Sequence, residues 1–279
     1  VDGTLTTGGR LEARTLAALE ALAEAGFALA LVTGRPAGWG ECWARTLPVA
    51  AVVAENGGLT FVRGARGRLV RHYAEPVASR RAARRALLVR HVEAALAAEP
   101  GARLSSDSAS REVDLAIDWA EDARLGPGAP GRLEAFLRAR GVTAVRSSVH
   151  VNCWMGGFDK RTAALALLAR HLRLPAAARQ GPGVVYAGDS FNDAPLFGEF
   201  PLSVGVANVR EVLHALPTPP AFITRAAEGR GFEELARALL RARQAGRRGG
   251  EGQEAGAGRQ AGAGRQAGAG QRRGTGGEG

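Results

Sequence analysis

Two aspartates four positions apart, Asp189 and Asp193 in GDSFNDAPLF, directly follow the short apolar run VVYA, with Asn192 between them. Carboxylates at that spacing suit a Mg²⁺ ion, which takes a few hard oxygens and keeps its waters. Capping of the following helix is the other reading, and it accounts for one Asp more readily than for both. Lys160, in GGFDK, is the only lysine of the chain; every other basic position is Arg. A lone ammonium in an arginine-rich sequence suggests a place where a compact cation works and a guanidinium fork does not. It can neutralise a phosphate or a carboxylate there, or it is a solvated residue at a helix start, where the dipole disfavours it. In LVTGRP, the Thr33 hydroxyl and the Gly34 amide can hold a phosphoryl oxygen, or Thr33 merely closes a strand. In VDGTLT, Asp2 opens a tight turn that can leave a carboxylate facing a cleft, or is only a turn residue.

These residues need elements to bring them together. Leu11, Leu16, Leu19 and Leu22 recur at helical spacing and stop at Gly26. The runs FALALV (27–32) and VAAVVA (49–54) have the length and continuous apolarity of buried strands, with a helix between. The alternation resumes with a helix over 161–172, strands at 184–187 and 202–206, a short helix over 209–216, a strand at 221–224 and a helix over 231–243. This pattern predicts an α/β fold with a doubly wound, parallel, Rossmann-like sheet, whose strand ends carry all four motifs. Between its halves the character changes. A hairpin around Gly64–Gly67, helices near 79–98 and 130–140, and strands at 113–119, 142–146 and 149–154 describe an inserted α+β domain. The expected division is a core of residues 1–60 and 158–243, an insert of 61–157, and a tail of 244–279.

The tail contains Gly, Ala, Arg, Gln and Glu apart from Thr275, repeats AGAG every six residues, and has nothing to bury. It is expected to be disordered. From Arg241 onward lie eight Arg and three Glu, half of the formal net charge of +10, without an aromatic residue. A nucleic-acid site would place its basic residues on a folded face, often beside stacking rings, so no specific nucleic-acid partner is expected. Apolar runs are only strand-length, which gives no membrane span. Cys42 and Cys153 stand far apart and outside any metal-binding spacing, as in a reduced, cytoplasmic protein.

Taken in order, DGT, TGR, K and GDxxND resemble the four motifs of the haloacid dehalogenase superfamily. The insert's size and place, between the second and third motifs, are similar to the type IIB subfamily. That group includes sucrose-phosphate and mannosylglycerate-phosphate phosphatases, Cof-type sugar-phosphate phosphatases and phosphomannomutases. The resemblance covers the chain to about residue 240 and implies Mg²⁺-dependent hydrolysis through an aspartyl-phosphate. Asp2 then matches the general acid and base, and the attacking Asp falls one position before Val1, so the chain as given is expected to be inactive. Thr33 and Gly34 match the phosphoryl-binding pair, and Lys160 the orienting cation. Asp189, Asp193 and the carbonyl of Asp2 match the metal site. The core strand preceding Val1 would also be missing, which implies a poorly folded fragment.

Substrate choice is expected in the insert. VHVNCW places His150, Asn152 and Trp154 on one face, a row suited to a sugar, or to the solvated side of a half-buried sheet. Asp114 and Asp118 share a face in the same way. Arg35, Asn56 and Asn192 are further candidates to line the cleft. The substrate expected is a small phosphate ester, with a phosphomutase or a non-catalytic binding module as the alternatives; the sequence does not specify an oligomeric state.

Overall fold

The computed structural model describes residues 1–147 and 149–246. Val1–Ala236 form one compact unit. The chain opens with a turn in which the Val1 carbonyl accepts from the amides of Thr4, Leu5 and Thr6. Helix α1 (Ala13–Glu24) buries Thr15, Leu19 and Leu22. It ends at Gly26, whose φ of 86° a side chain would resist. Strand β1 (Ala30–Val32), helix α2 (Ala37–Thr46) and strand β2 (Ala51–Ala54) follow, with β1 and β2 parallel. The long apolar run at 27–32 thus contributes only its last three residues to the sheet.

Strands β3 (Leu59–Arg63) and β4 (Leu69–Tyr73) form the expected hairpin. The sequence reading assigned it to the insert from residue 61, but β3 pairs antiparallel with β2 and so extends the core sheet in the order β1-β2-β3-β4. The insert proper consists of α3 (Ala78–Ala98), β5 (Arg103–Leu104), β6 (Leu115–Asp118), α4 (Ala129–Arg138), β7 (Thr143–Arg146) and β8 (His150–Trp154). Its antiparallel sheet runs β5-β6-β8-β7. One face packs on α3 and α4 through Leu88, Val92, Leu133, Leu137, Ile117, Val151 and Cys153. Alternation along β8 then turns His150 and Asn152 the other way, and both are buried as well.

The core resumes with α5 (Lys160–Ala166), started by a capping box between Asp159 and Thr162. The helix expected to continue to residue 172 loosens into a π turn at Leu167–His171. Helix α6 (Ala176–Gln180), β9 (Val185–Gly188), α7 (Ala194–Glu199), β10 (Leu202–Gly205) and β11 (Phe222–Ile223) follow, and a final helix, α8, spans residues 228–246. β9, β10 and β11 are parallel. The segment expected as a helix over 209–216 makes only 3₁₀ turns at Ala207–Glu211 and Leu213–Ala215. Pro217 follows at once and disfavours helical geometry at Leu216. α8 runs three residues into the stretch expected as disordered tail, and the rest of that stretch lies outside the described residues.

Among the described residues β1 and β9 are each paired on one side only. Val32 of β1 and Tyr186 of β9 pack on the same cluster, Ala164, Leu196 and Phe200, so α5 and α7 bind the two halves of the core together. The insert has its own apolar centre, and Leu137 is fully buried in it. Leu137→Ala is expected to lower unfolding free energy by about 2–5 kcal/mol. A denaturant titration showing a change below about 0.5 kcal/mol, as at a surface position, would contradict that packing.

Candidate active site

The end of β9 builds the acidic side of the site. Gly188 gives way to Asp189 and to the 3₁₀ turn Phe191–Asp193, where Ser190 caps the turn. The Asp193 carboxylate receives Lys160 Nζ at 3.1 Å and Tyr186 Oη at 2.8 Å on one oxygen. The other receives the amides of Asp189 at 2.9 Å and Ser190 at 3.1 Å. Burial pushes the Asp193 pKa up, but the Lys160 charge and these hydrogen bonds outweigh it and bring it down to about 2. Asp189 has the weaker support of Thr4 Oγ1 at 2.5 Å. Burial and the neighbouring Asp193 charge push Asp189 up to about 6. Gly3 lies against this carboxylate, where a Cβ would come within 2.6 Å of Asp189 Oδ2.

The end of β1 builds the second side. Thr33 is buried, and its hydroxyl accepts from the Arg35 amide at 3.0 Å. Arg35 grips Asp2 with two bonds, Nε to Oδ2 at 2.9 Å and Nη2 to Oδ1 at 3.0 Å. Its Nη2 also reaches Glu121 Oε1 of the insert at 2.7 Å. For Asp2 burial raises the pKa, and the Arg35 bonds and charge more than offset it, so the carboxyl is held below its ordinary range. Arg35 is raised in turn, since Asp2 and Glu121 outweigh the burial of its charge.

Asp2, Thr33, Gly34, Arg35 and Lys160 line one cleft. Asp189, Asn192 and Asp193 border the same cleft from β9, and His150 and Asn152 from the insert. Asn192 is held by the Ser190 hydroxyl at 2.7 Å. Asn56 does not border the cleft. It lies behind Gly34, with its Nδ2 donating to Asp114 at 2.9 Å. Trp154, expected in a row with His150 and Asn152, instead donates to the Phe158 carbonyl and stacks on the Phe158 ring. Asp118 accepts from the amides of Glu121, Asp122 and Ala123 and so builds a turn. Asn152 Oδ1 and His150 Nε2 are buried without hydrogen-bond partners. His150 Nε2 stands 2.8 Å from Glu121 Oε2, an ion pair when the ring is protonated. Burial lowers the His150 pKa despite that carboxylate.

Residues 1–82 match the sequence family described as haloacid dehalogenase-like hydrolase. The fold is similar to a Thermoplasma acidophilum protein at a TM-score of 0.63 and 18% identity, over 86% of this chain and 96% of that one. Over residues 1–82 the chain is similar to haloacid dehalogenase-like hydrolases, and its fold is like that of this solved structure. The C-terminal domain of Candida albicans trehalose-6-phosphate phosphatase gives 0.63 at 15% identity, over 85% of this chain and 89% of that one. The sucrose-phosphatase of Synechocystis, solved with sucrose and phosphate, gives 0.56 at 17%, over 86% and 94%. No curated protein matches the sequence. No group of three or more His, Cys, Asp or Glu side chains is placed to hold a metal among the described residues. A cation would therefore rely on the Asp189–Asp193 pair and on backbone or solvent oxygens.

The sequence reading missed the groups that join insert to core. Arg111, buried, binds Asp107 and Asp114 and donates to the Gly34 carbonyl at 3.0 Å. Burial and the nearby Glu55 push Asp114 up to about 8, against the pull of Arg111. A pKa raised on folding contributes stability below the unfolded value near 4 and loses it as pH rises towards 8. The melting-temperature advantage of wild type over Asp114→Asn should therefore shrink between pH 5 and pH 8. A difference independent of pH in a calorimetric scan would show that Asp114 stays ionised throughout.

Proposed function

We propose that this protein is a Mg²⁺-dependent phosphatase for a small phosphorylated sugar, with its attacking carboxylate supplied by a residue immediately before Val1. The observation that carries the reading is the convergence of Thr33, Lys160, Asp189 and Asp193 on the cleft that Val1 and Asp2 also line. Thr33 and Asp189 follow the C-terminal ends of β1 and β9, each of which is paired on one side only among the described residues. Val1 lines the cleft beside Asp2, Asp189 and Asp193, so a side chain joined to it would lie close to the same cluster.

The residues fit a divalent cation. Two buried carboxylates repel each other strongly enough to raise Asp189, and glycine at position 3 leaves room beside its free oxygen. Asp189 and the Asp2 carbonyl would hold the ion. Asp193, whose oxygens already accept from Lys160, Tyr186 and the loop amides, would fix Asp189 and Lys160 beside it. When bound, the ion supplies Lewis-acid polarisation of the phosphoryl group. In this reading the Thr33 hydroxyl and Gly34 amide bind a phosphoryl oxygen, while Lys160 offsets the charge that develops in transfer. Attack on phosphorus expels the sugar alkoxide, which takes a proton from Asp2. Asp2 then removes a proton from water as water attacks the aspartyl-phosphate, and inorganic phosphate leaves. Asp2 must release Arg35 to do this, and an incoming phosphate is the natural competitor for that guanidinium. Hydroxyls of the leaving group would satisfy Asn152 Oδ1 and His150 Nε2. The sugar phosphates named for the similar phosphatases from Candida and Synechocystis support that choice.

A chain extended upstream by an apolar strand ending in Asp should release phosphate from sugar phosphates only with Mg²⁺. Asp189→Ala should cost at least ~10²-fold in kcat/KM, and Asn152→Ala should act mainly by raising KM, about tenfold for one lost hydrogen bond to substrate. An extended, folded protein with no turnover on any phosphate ester contradicts the proposal.

A further inference from the structure

Glu55 is a fully buried carboxylate that the proposed chemistry leaves unused. Oε1 accepts from the amides of Ala37 and Glu112, each at 2.8 Å. Oε2 accepts from the amides of Val113 at 2.6 Å and Asp114 at 2.9 Å. One of these donors opens α2, directly behind the Thr33–Arg35 loop; the other three lead into β6 of the insert. The backbone repeats the connection. Glu55 N donates to the Arg35 carbonyl at 3.0 Å, and Asn56 N to the Thr33 carbonyl at 3.1 Å. Arg111 closes it from the insert through the Gly34 carbonyl.

The turn that delivers Glu55 is strained. Glu55 and Asn56 have φ of 48° and 55°, followed by Gly57 at 104°. Consecutive non-glycine residues in the left-handed region persist only where their surroundings over-determine them. Here Gly57 lies against the Asp159 carbonyl, where the chain returns to the core, and Gly58 against the Val113 side chain, so neither has space for a Cβ. Sequence alone shows only ENGG after a strand.

We infer that Glu55 is a positioning residue that staples segment 111–114 of the insert to the loop of Thr33–Arg35. This segment therefore moves with the phosphate end of the cleft, and the insert does not lift from the core as a rigid body. Entry is left to the opposite rim, where Glu121 meets Arg35. The inference rests on the proposed function for the identity of the ligand, while the staple itself does not.

Spin labels on exposed Cys42 of α2 and on an Arg90→Cys variant in α3 report the distance between core and insert, and buried Cys153 should stay unlabelled. One narrow distance distribution is expected, unchanged by saturating inorganic phosphate. Glu55→Gln turns two backbone donors towards an amide NH₂. It should broaden the distribution and weaken phosphate binding by about tenfold, since one charged acceptor is worth roughly that, with an unchanged far-UV spectrum. A second distance populated in wild type on adding phosphate overturns the inference, as does a Glu55→Gln protein with wild-type distribution and affinity. If Glu55→Gln does not fold, the wild-type distribution decides alone. Wild type that binds no phosphate but keeps a single distance supports the staple and counts against the proposed function.

Discussion

The Asp193 carboxylate gathers Lys160 from α5, Tyr186 from β9 and two amides of its own loop around a single buried charge. A buried carboxylate without such partners would take up a proton, and here the bonds keep it ionised. The position of α5 against β9 follows from this, because Lys160 is the first residue of that helix. So does the state of Asp189. With Asp193 satisfied, its neighbour bears the repulsion and keeps the less committed oxygen. In the proposed reading, that oxygen is where a bound cation would enter the site.

A second set of charges ties the insert to this site. Arg35 spans Asp2 of the core and Glu121 of the insert, and Arg111 spans Asp107, Asp114 and the Gly34 carbonyl. Buried ion pairs of this kind give little net stability over apolar packing, and breaking one partner is costly. Their value here is geometric. They set the Thr33–Arg35 loop and the His150–Asn152 strand in fixed register around one cleft.

Much of this arrangement is legible in the sequence, because local signals place its parts. Apolar runs of strand length, each followed by a polar motif, put Thr33 and Asp189 at strand ends, and Lys160 stands out as the lone lysine. Alternation in VHVNCW gives the shared orientation of His150 and Asn152. What was not legible depends on partners distant in the chain. The hairpin of β3 and β4 reads the same whether it stands in the insert or extends β2. Glu55 looks like an ordinary turn residue until the amides of 112–114 are placed on it. Trp154 alternates with the site residues, but Phe158 at the chain's return to the core draws its ring away. Asn56 was expected in the cleft because it follows a strand, and the left-handed turn directs it to Asp114 instead.

The central claim is that the loops after β1 and β9 and the start of α5 form one phosphate-binding site. Backbone amide NMR during titration with inorganic phosphate and Mg²⁺ tests it most directly. The account predicts saturable shifts concentrated at Thr33–Arg35, Lys160 and Asp189–Asp193, all following one binding curve. Shifts that are absent, unsaturable or centred elsewhere on the protein would contradict it.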